Sequence, residues 1–145
     1  MKKLTCTAAL IAASICAAAP AAAAGAAKPV TLPAMHEQGS ISYLSGGIGQ
    51  NEADAIKHVA TQYPLEVEFL LRAKPRDEYL ANVKVVVTDM HDKKVLDMTS
   101  NGPFLLAKLP EGKYTITADR DGKVERRTVQ IAAHAHRRIV FEWQA

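Results

Sequence analysis

The stretch from Gly102 to Ala118, Gly-Pro-Phe-Leu-Leu-Ala-Lys-Leu-Pro-Glu-Gly-Lys-Tyr-Thr-Ile-Thr-Ala, constrains the fold more than any other part of the chain. It predicts a short strand (Phe104 to Ala107), a tight corner (Leu109-Pro110-Glu111-Gly112) and a second strand (Lys113 to Ala118). Pro110 fixes φ where a turn wants it, and Gly112 takes the positive φ that would strain other residues. Beyond the corner, Tyr114, Ile116 and Ala118 alternate with Lys113, Thr115 and Thr117, the period of a strand with one buried face.

The same pattern extends in both directions. Leu65, Val67, Phe69 and Leu71 alternate with Glu66, Glu68 and Arg72, which predicts a half-buried strand with the glutamates on the solvated side. Lys74 to Leu80 is a polar connection, Val83, Val85 and Val87 give the next inward face, and Asp92-Lys93-Lys94 turns the chain into Val95 to Thr99. Asp119-Arg120-Asp121-Gly122 is a hairpin signal, after which Lys123 to Ile131 returns. Ala132 to Ala135 makes the last corner. Arg137 to Trp143 closes the sheet, with Ile139, Phe141 and Trp143 on one face and His136, Arg138 and Glu142 on the other. Short strands at regular spacing fit a sandwich rather than a bundle or an α/β fold.

The runs Ser100-Asn101-Gly102-Pro103-Phe104 and Leu109-Pro110-Glu111-Gly112-Lys113-Tyr114-Thr115-Ile116 resemble the signature of carboxypeptidase regulatory-like domains. The resemblance spans about Leu65 to Trp143. It implies a mainly β, seven-stranded, transthyretin-like Greek-key sandwich, and it implies an accessory, stabilising or binding role rather than a particular chemistry.

The N-terminus predicts export. Met1-Lys2-Lys3 precedes an apolar, alanine-rich run from Leu4 to Ala19, and Ala22-Ala23-Ala24 offers a cleavage site, so residues 1–24 read as a signal peptide and not as a membrane span. Ile15 before Cys16 is too large for a lipoprotein site. Both cysteines, Cys6 and Cys16, fall within the segment to be removed, which leaves a mature chain without disulfide or thiol chemistry. Loss of Lys2 and Lys3 reduces 18 basic residues against 15 acidic ones to near balance, so composition gives no support to nucleic-acid binding. The expected location is the periplasm or the exterior, with an unidentified protein or cell-envelope component as partner.

Residues 25–63 read as an extended lead-in, a glycine-rich turn and one short N-terminal α-helix, ahead of a sandwich over residues 64–145. Asn51 is the expected N-cap, with Glu52 and Asp54 in the first turn. Ile56, Val59, Ala60 and Tyr63 form one apolar stripe, and Pro64 ends the helix. So short a helix is not stable alone and must dock on the sandwich. The loop Gly46-Gly47-Ile48-Gly49 is superficially like a phosphate-binding turn, but no βαβ context or Lys-Ser/Thr accompanies it, and Glu52 and Asp54 repel phosphate. Ile48 separates two roles for the segment. Packing of the helix against a sheet edge or end buries it; recognition of a partner exposes it. Packing is the expectation, with Glu52, Lys57 and Gln62 facing solvent.

Catalytic constellations are not evident. Hydroxyisourate hydrolases, which are similar to transthyretin, end in Tyr-Arg-Gly-Ser, whereas this chain ends Phe141-Glu142-Trp143-Gln144-Ala145. The lysine and asparagine of isopeptide-forming domains have no counterparts in Leu65 to Leu71 or Arg137 to Trp143. No serine sits in a nucleophile elbow. The chain is therefore expected to be non-enzymatic and to carry no cofactor. The alternative reading is copper binding: His134 and His136, at i and i+2, would point the same way in a strand, and Met90-His91 and Met35-His36 add soft and imidazole ligands. Arg126, Arg127, Arg137 and Arg138 are expected to pair with Glu66, Glu68, Glu125 and Glu142 as a solvated cross-strand ladder.

Overall fold

The computed structural model describes Pro29 and residues 31–145, so residues 1–24, which were read as a signal peptide, and both cysteines lie outside the described residues. The described chain is mainly β, with ten strands in two sheets and one α-helix. In order these are β1 (His36–Gln38), β2 (Ile41–Gly46), α1 (Gln50–Val59), a 3-10 turn (Ala60–Gln62), β3 (Leu65–Arg72), β4 (Glu78–Tyr79), β5 (Lys84–Thr88), β6 (Lys94–Thr99), β7 (Phe104–Lys108), β8 (Gly112–Arg120), β9 (Lys123–Ile131) and β10 (Arg137–Gln144). The first sheet runs β1-β2-β7-β3-β10, and β4 pairs with β3 beyond the end of β7; the second runs β6-β5-β8-β9.

The expected count of seven strands is too low. All seven predicted strands are present, as β3 and β5 to β10, but the lead-in adds β1 and β2 and the polar connection adds β4. Ser45 and Gly46 belong to β2 and not to a turn, because they pair with Leu105 and Phe104 of β7. The segment ahead of residue 64 is thus woven into the sheet.

The two sheets share one core. Leu65, Val67, Phe69, Leu105, Ala107, Phe141 and Trp143 of the first meet Val85, Val87, Leu96, Tyr114, Ile116, Ala118 and Val129 of the second. Alternation placed most of these correctly, but it made no assignment for Leu96, Leu105 and Ala107, and Ile139, expected in the core, is only half-buried. The β8–β9 hairpin also forms as read: Asp121 and Gly122 have φ of 50° and 85°, which suits the right-handed twist of the flanking strands.

A second apolar cluster lies on the outer face of the first sheet, where Ala53, Ile56 and Ala60 of the helical segment, with Tyr63, cover Leu44, Phe104 and Leu106. The helix therefore covers a sheet face, not an edge or an end. This accounts for the unbroken apolar run Phe104-Leu105-Leu106-Ala107: a strand covered on both faces has no polar side to alternate with. Burial of Ile56 alone contributes about 1.5–3 kcal/mol. The helix begins at Gln50 with Gly49 as N-cap, so Asn51 is not the cap.

The sandwich is pinned at both sides. The Gln38 side chain accepts from the Asp97 N–H (2.6 Å) and donates to the Asp97 carbonyl (3.2 Å), joining β1 to β6. Opposite, Trp143 Nε1 donates to the Lys123 carbonyl (2.9 Å) and the Arg127 guanidinium lies over the Phe141 ring.

Phe141 stacks against both Phe69 and Trp143 with no solvent exposure. Phe141→Ala is expected to destabilise the fold by about 3–5 kcal/mol in urea denaturation; a loss below about 1 kcal/mol would mean the faces of β10 are reversed. Tyr114 gives an alkaline counterpart. Its hydroxyl donates to the Pro110 carbonyl (3.0 Å), and burial, then the charge of Asp89, raises its pKa above the usual phenol value. The stabilisation is complete below the unfolded pKa of about 10 and is lost as pH rises through the higher folded value. Tyr114→Phe should cost about 0.5–1.5 kcal/mol at neutral pH and remove that part of the alkaline destabilisation.

Candidate functional site

The predicted copper ligands do not converge. His134 sits in the corner before β10 with φ of 56°, exposed, so it and His136 do not share a strand face. His136 points inward instead: Nδ1 lies 2.8 Å from the Tyr63 carbonyl and Nε2 lies 3.0 Å from Glu66 Oε2. Met90 and His91 are exposed in the β5–β6 turn. There Asp89 accepts the His91 and Lys93 N–H groups, and these bonds, the one from His91 foremost, hold its carboxyl below the usual range. His36 stacks on Tyr43 (5.5 Å) at the other side of the sandwich. Among the described residues no group of three or more His, Cys, Asp or Glu is placed to hold a metal ion.

The glutamates expected on a solvated face are buried. Glu66 and Glu68 point to the outer face of β3, with side-chain exposures of 8% and 5%. Their cross-strand neighbours explain this. On one side lie Leu106 and Phe104, already covered by α1, and on the other lie Arg138 and Val140 of β10. Arg138 bonds Glu68 directly and reaches Glu66 Oε1 at 3.7 Å, while His136 takes the other Glu66 oxygen. The ladder of opposite charges is thus present here, but as a semi-buried lock, because the parallel register of β10 on β3 brings Arg138 beside Glu66. Glu142 pairs with Arg72 rather than with a neighbouring β9 arginine. Among the described residues no buried side-chain nitrogen or oxygen lacks a partner.

The glycine loop is the other place where geometry departs from expectation. Ile48 is 68% exposed. Beneath it the loop is rigidly held. Glu52 does not face solvent; its Oε1 accepts the Gly47 N–H at 2.7 Å. Gly47 has φ of 101° and backs onto the Phe104 ring, and Gly102 sits so close to Gly46 that a Cβ would overlap the Gly46 backbone. Tyr79 tilts over the same Phe104 ring at 5.5 Å, and Lys57 Nζ lies over both rings, 5.4 Å from Phe104 and 5.7 Å from Tyr79. Tyr79 and Lys57 therefore meet over Phe104, the same ring that backs Gly47, and Ile48 is the exposed residue next along the loop. Tyr79 and Lys57 were missed from sequence because the two-residue β4 has no periodicity and Lys57 reads as a solvent-facing helix position. Gly46 and Gly49 frame the loop from the end of β2 and the helix N-cap.

Concave surfaces offer less. An open depression of about 540 Å³ on the outer face of the second sheet is lined by Thr88, Thr115, Thr117, Thr128, Lys94 and Arg126. No helix among the described residues is long and apolar enough to cross a membrane. No family model and no curated protein matches the chain.

The lock makes a stability prediction. Arg138→Ala leaves two buried carboxylates facing each other without their cation, and should lower unfolding free energy by about 1–3 kcal/mol. Exposed Arg137, one residue away, should lose no more than about 0.5 kcal/mol on the same change. Equal losses in parallel urea titrations would refute the assignment.

Proposed function

We propose that the chain is an exported, non-enzymatic β-sandwich module of the carboxypeptidase regulatory-like, transthyretin-like type, with a binding or structural accessory role in the cell envelope. The resemblance through Gly102 to Ile116 supports the family. The division of the seven predicted strands into three (β7, β3, β10) and four (β6, β5, β8, β9) is compatible with a Greek-key sandwich of that type. The Lys-rich start and alanine-rich run of residues 1–24 support export to the periplasm or exterior.

One observation carries the binding role: an aliphatic side chain stands exposed on a loop whose base is fixed by a carboxylate and an aromatic ring. A preformed tip loses little entropy on association, and the combination of Ile48, Tyr79 and Lys57 suits a protein surface with an apolar notch and an acidic rim. Burial of α1 shows that packing and exposure of Ile48 are not alternatives. The helix holds the loop and the loop presents the side chain.

A photo-crosslinking amino acid at position 48, introduced into the full chain and expressed in its own cells, should capture a discrete protein adduct from the envelope fraction. The same probe at Val124, also exposed but remote, should not. Ile48→Asp should abolish capture by a second probe at Tyr79 while changing stability by less than about 0.5 kcal/mol. No adduct from position 48, or equal adducts from 48 and 124, would refute the binding role. Recovery of the chain in the cytosol with residues 1–24 intact would refute export.

A further inference from the structure

Strand β10 is an edge strand with a specific self-complementary pattern. It pairs only with β3, in parallel, over its whole length from Arg137 to Gln144. In a parallel ladder each residue directs both its N–H and its C=O to the same side, and successive residues alternate sides. The Arg137 N–H bonds the Pro64 carbonyl and the Ala145 N–H bonds the Arg72 carbonyl, so the odd-numbered residues face β3. The N–H and C=O groups of Arg138, Val140, Glu142 and Gln144 therefore point out of the sheet into the open edge.

The other edges are blunted and this one is not. β1 and β4 are very short, and β6 has its Asp97 main chain occupied by Gln38 and a register shift opposite Val87 and Thr88. β9 carries Lys123, Glu125, Arg126 and Arg127, a concentration of charge that opposes pairing. β10 also carries charge (Arg137, Arg138 and Glu142), but it has no Pro, no Lys and no irregularity in its register with β3, and the charges on its even-numbered, edge-facing residues are one of each sign.

We infer that β10 pairs antiparallel with β10 of a second copy of this chain about a two-fold axis through Val140, so that the first sheet continues across the dimer. The register follows from three constraints. A two-fold perpendicular to the sheet keeps outer faces together, so even residues meet even residues. Centring on Arg138 or Glu142 places like charges opposite each other, and centring on Ile139 or Phe141 leaves Arg138 facing Val140 or Gln144. Centring on Val140 sets Arg138 opposite Glu142 on both sides of the axis, so charges already paired within each copy, Arg138 with Glu68 and Glu142 with Arg72, meet opposite signs across it, and Val140 meets its own copy. In this register every facing even pair is a hydrogen-bonded one, which is what the outward N–H and C=O groups require. On the inner face Ile139 meets Phe141, extending the core. The two Gly47–Gly49 loops then lie on opposite flanks, three strands from the junction, so the dimer is bivalent for whatever the Ile48 patch binds.

The test is sedimentation equilibrium of the full chain with three variants. The wild type should associate to a dimer. Val140→Lys opposes two ammonium groups at the axis, and Val140→Pro removes an outward N–H that β3 does not use; either should weaken dimerisation at least about tenfold while circular dichroism keeps the β spectrum. Val140→Cys puts two thiols opposite each other across the axis, on Cα atoms about 5.5 Å apart, so a short bis-maleimide should yield a peptide containing residue 140 linked to itself. A monomer at all concentrations would overturn the inference. So would a dimer that survives both Lys and Pro, or a failure of the Val140→Cys variant to cross-link. Should both disruptive variants misfold, the cross-link decides alone.

Discussion

Strand β3 is buried on both faces although every second residue in its first half is a glutamate, and that is possible only because β10 arrives in parallel with a guanidinium and an imidazole in register. Two carboxylates cannot be removed from water without a compensating charge and hydrogen bonds. Arg138 supplies the charge, and Arg138 and His136 together supply the hydrogen bonds. His136 also bonds the Tyr63 carbonyl, so the same contact fastens the end of the helical segment to the start of β3. The outer layer, the first sheet and the last strand are thus held through one polar junction.

The apolar part of the outer layer depends on that junction. Helix α1 packs over β2 and β7 beside the glutamates, which leaves Leu106 and Phe104 with neighbours on every side. Phe104 then serves as the floor for Gly47, Tyr79 and Lys57, elements from three separate stretches of chain. A loop that would be mobile if tethered only at its ends is fixed from below, and Ile48 is displayed because its neighbours are locked.

The register of β10 on β3 has a second effect. It turns the N–H and C=O of the odd-numbered residues toward β3 and so leaves both groups of each even residue on the free edge. The residues so exposed are Arg138, Val140 and Glu142, whose side chains lie on the outer face beside the lock and beside Arg72. One topological choice therefore sets the buried charge network on one side of β10 and the pairing edge on the other.

Much of the fold was legible along the chain, for a physical reason. A strand's faces follow from its own alternation, so Phe69, Val85, Tyr114, Ile116 and Phe141 were placed in the core without knowledge of their partners, and Pro110, Gly112 and Asp121-Gly122 marked corners through their own φ preferences. The apolar stripe of α1 likewise required a docking surface. Which surface it found was not written locally. Whether Glu66 and Glu68 face water depends on what covers the outside of β3, whether His134 and His136 share a direction depends on where the last corner ends, and whether Ile48 is buried depends on Glu52 turning back to Gly47. Each is a property of two segments far apart in sequence meeting in one register. Sequence by itself determined seven of the ten strands, most of their inward faces and the turns between them, because those are set by periodicity and backbone preference within a few residues. Only the tertiary structure decided the order of strands, the covered outer face and the exposed tip, because long-range pairing fixes what lies beside each side chain.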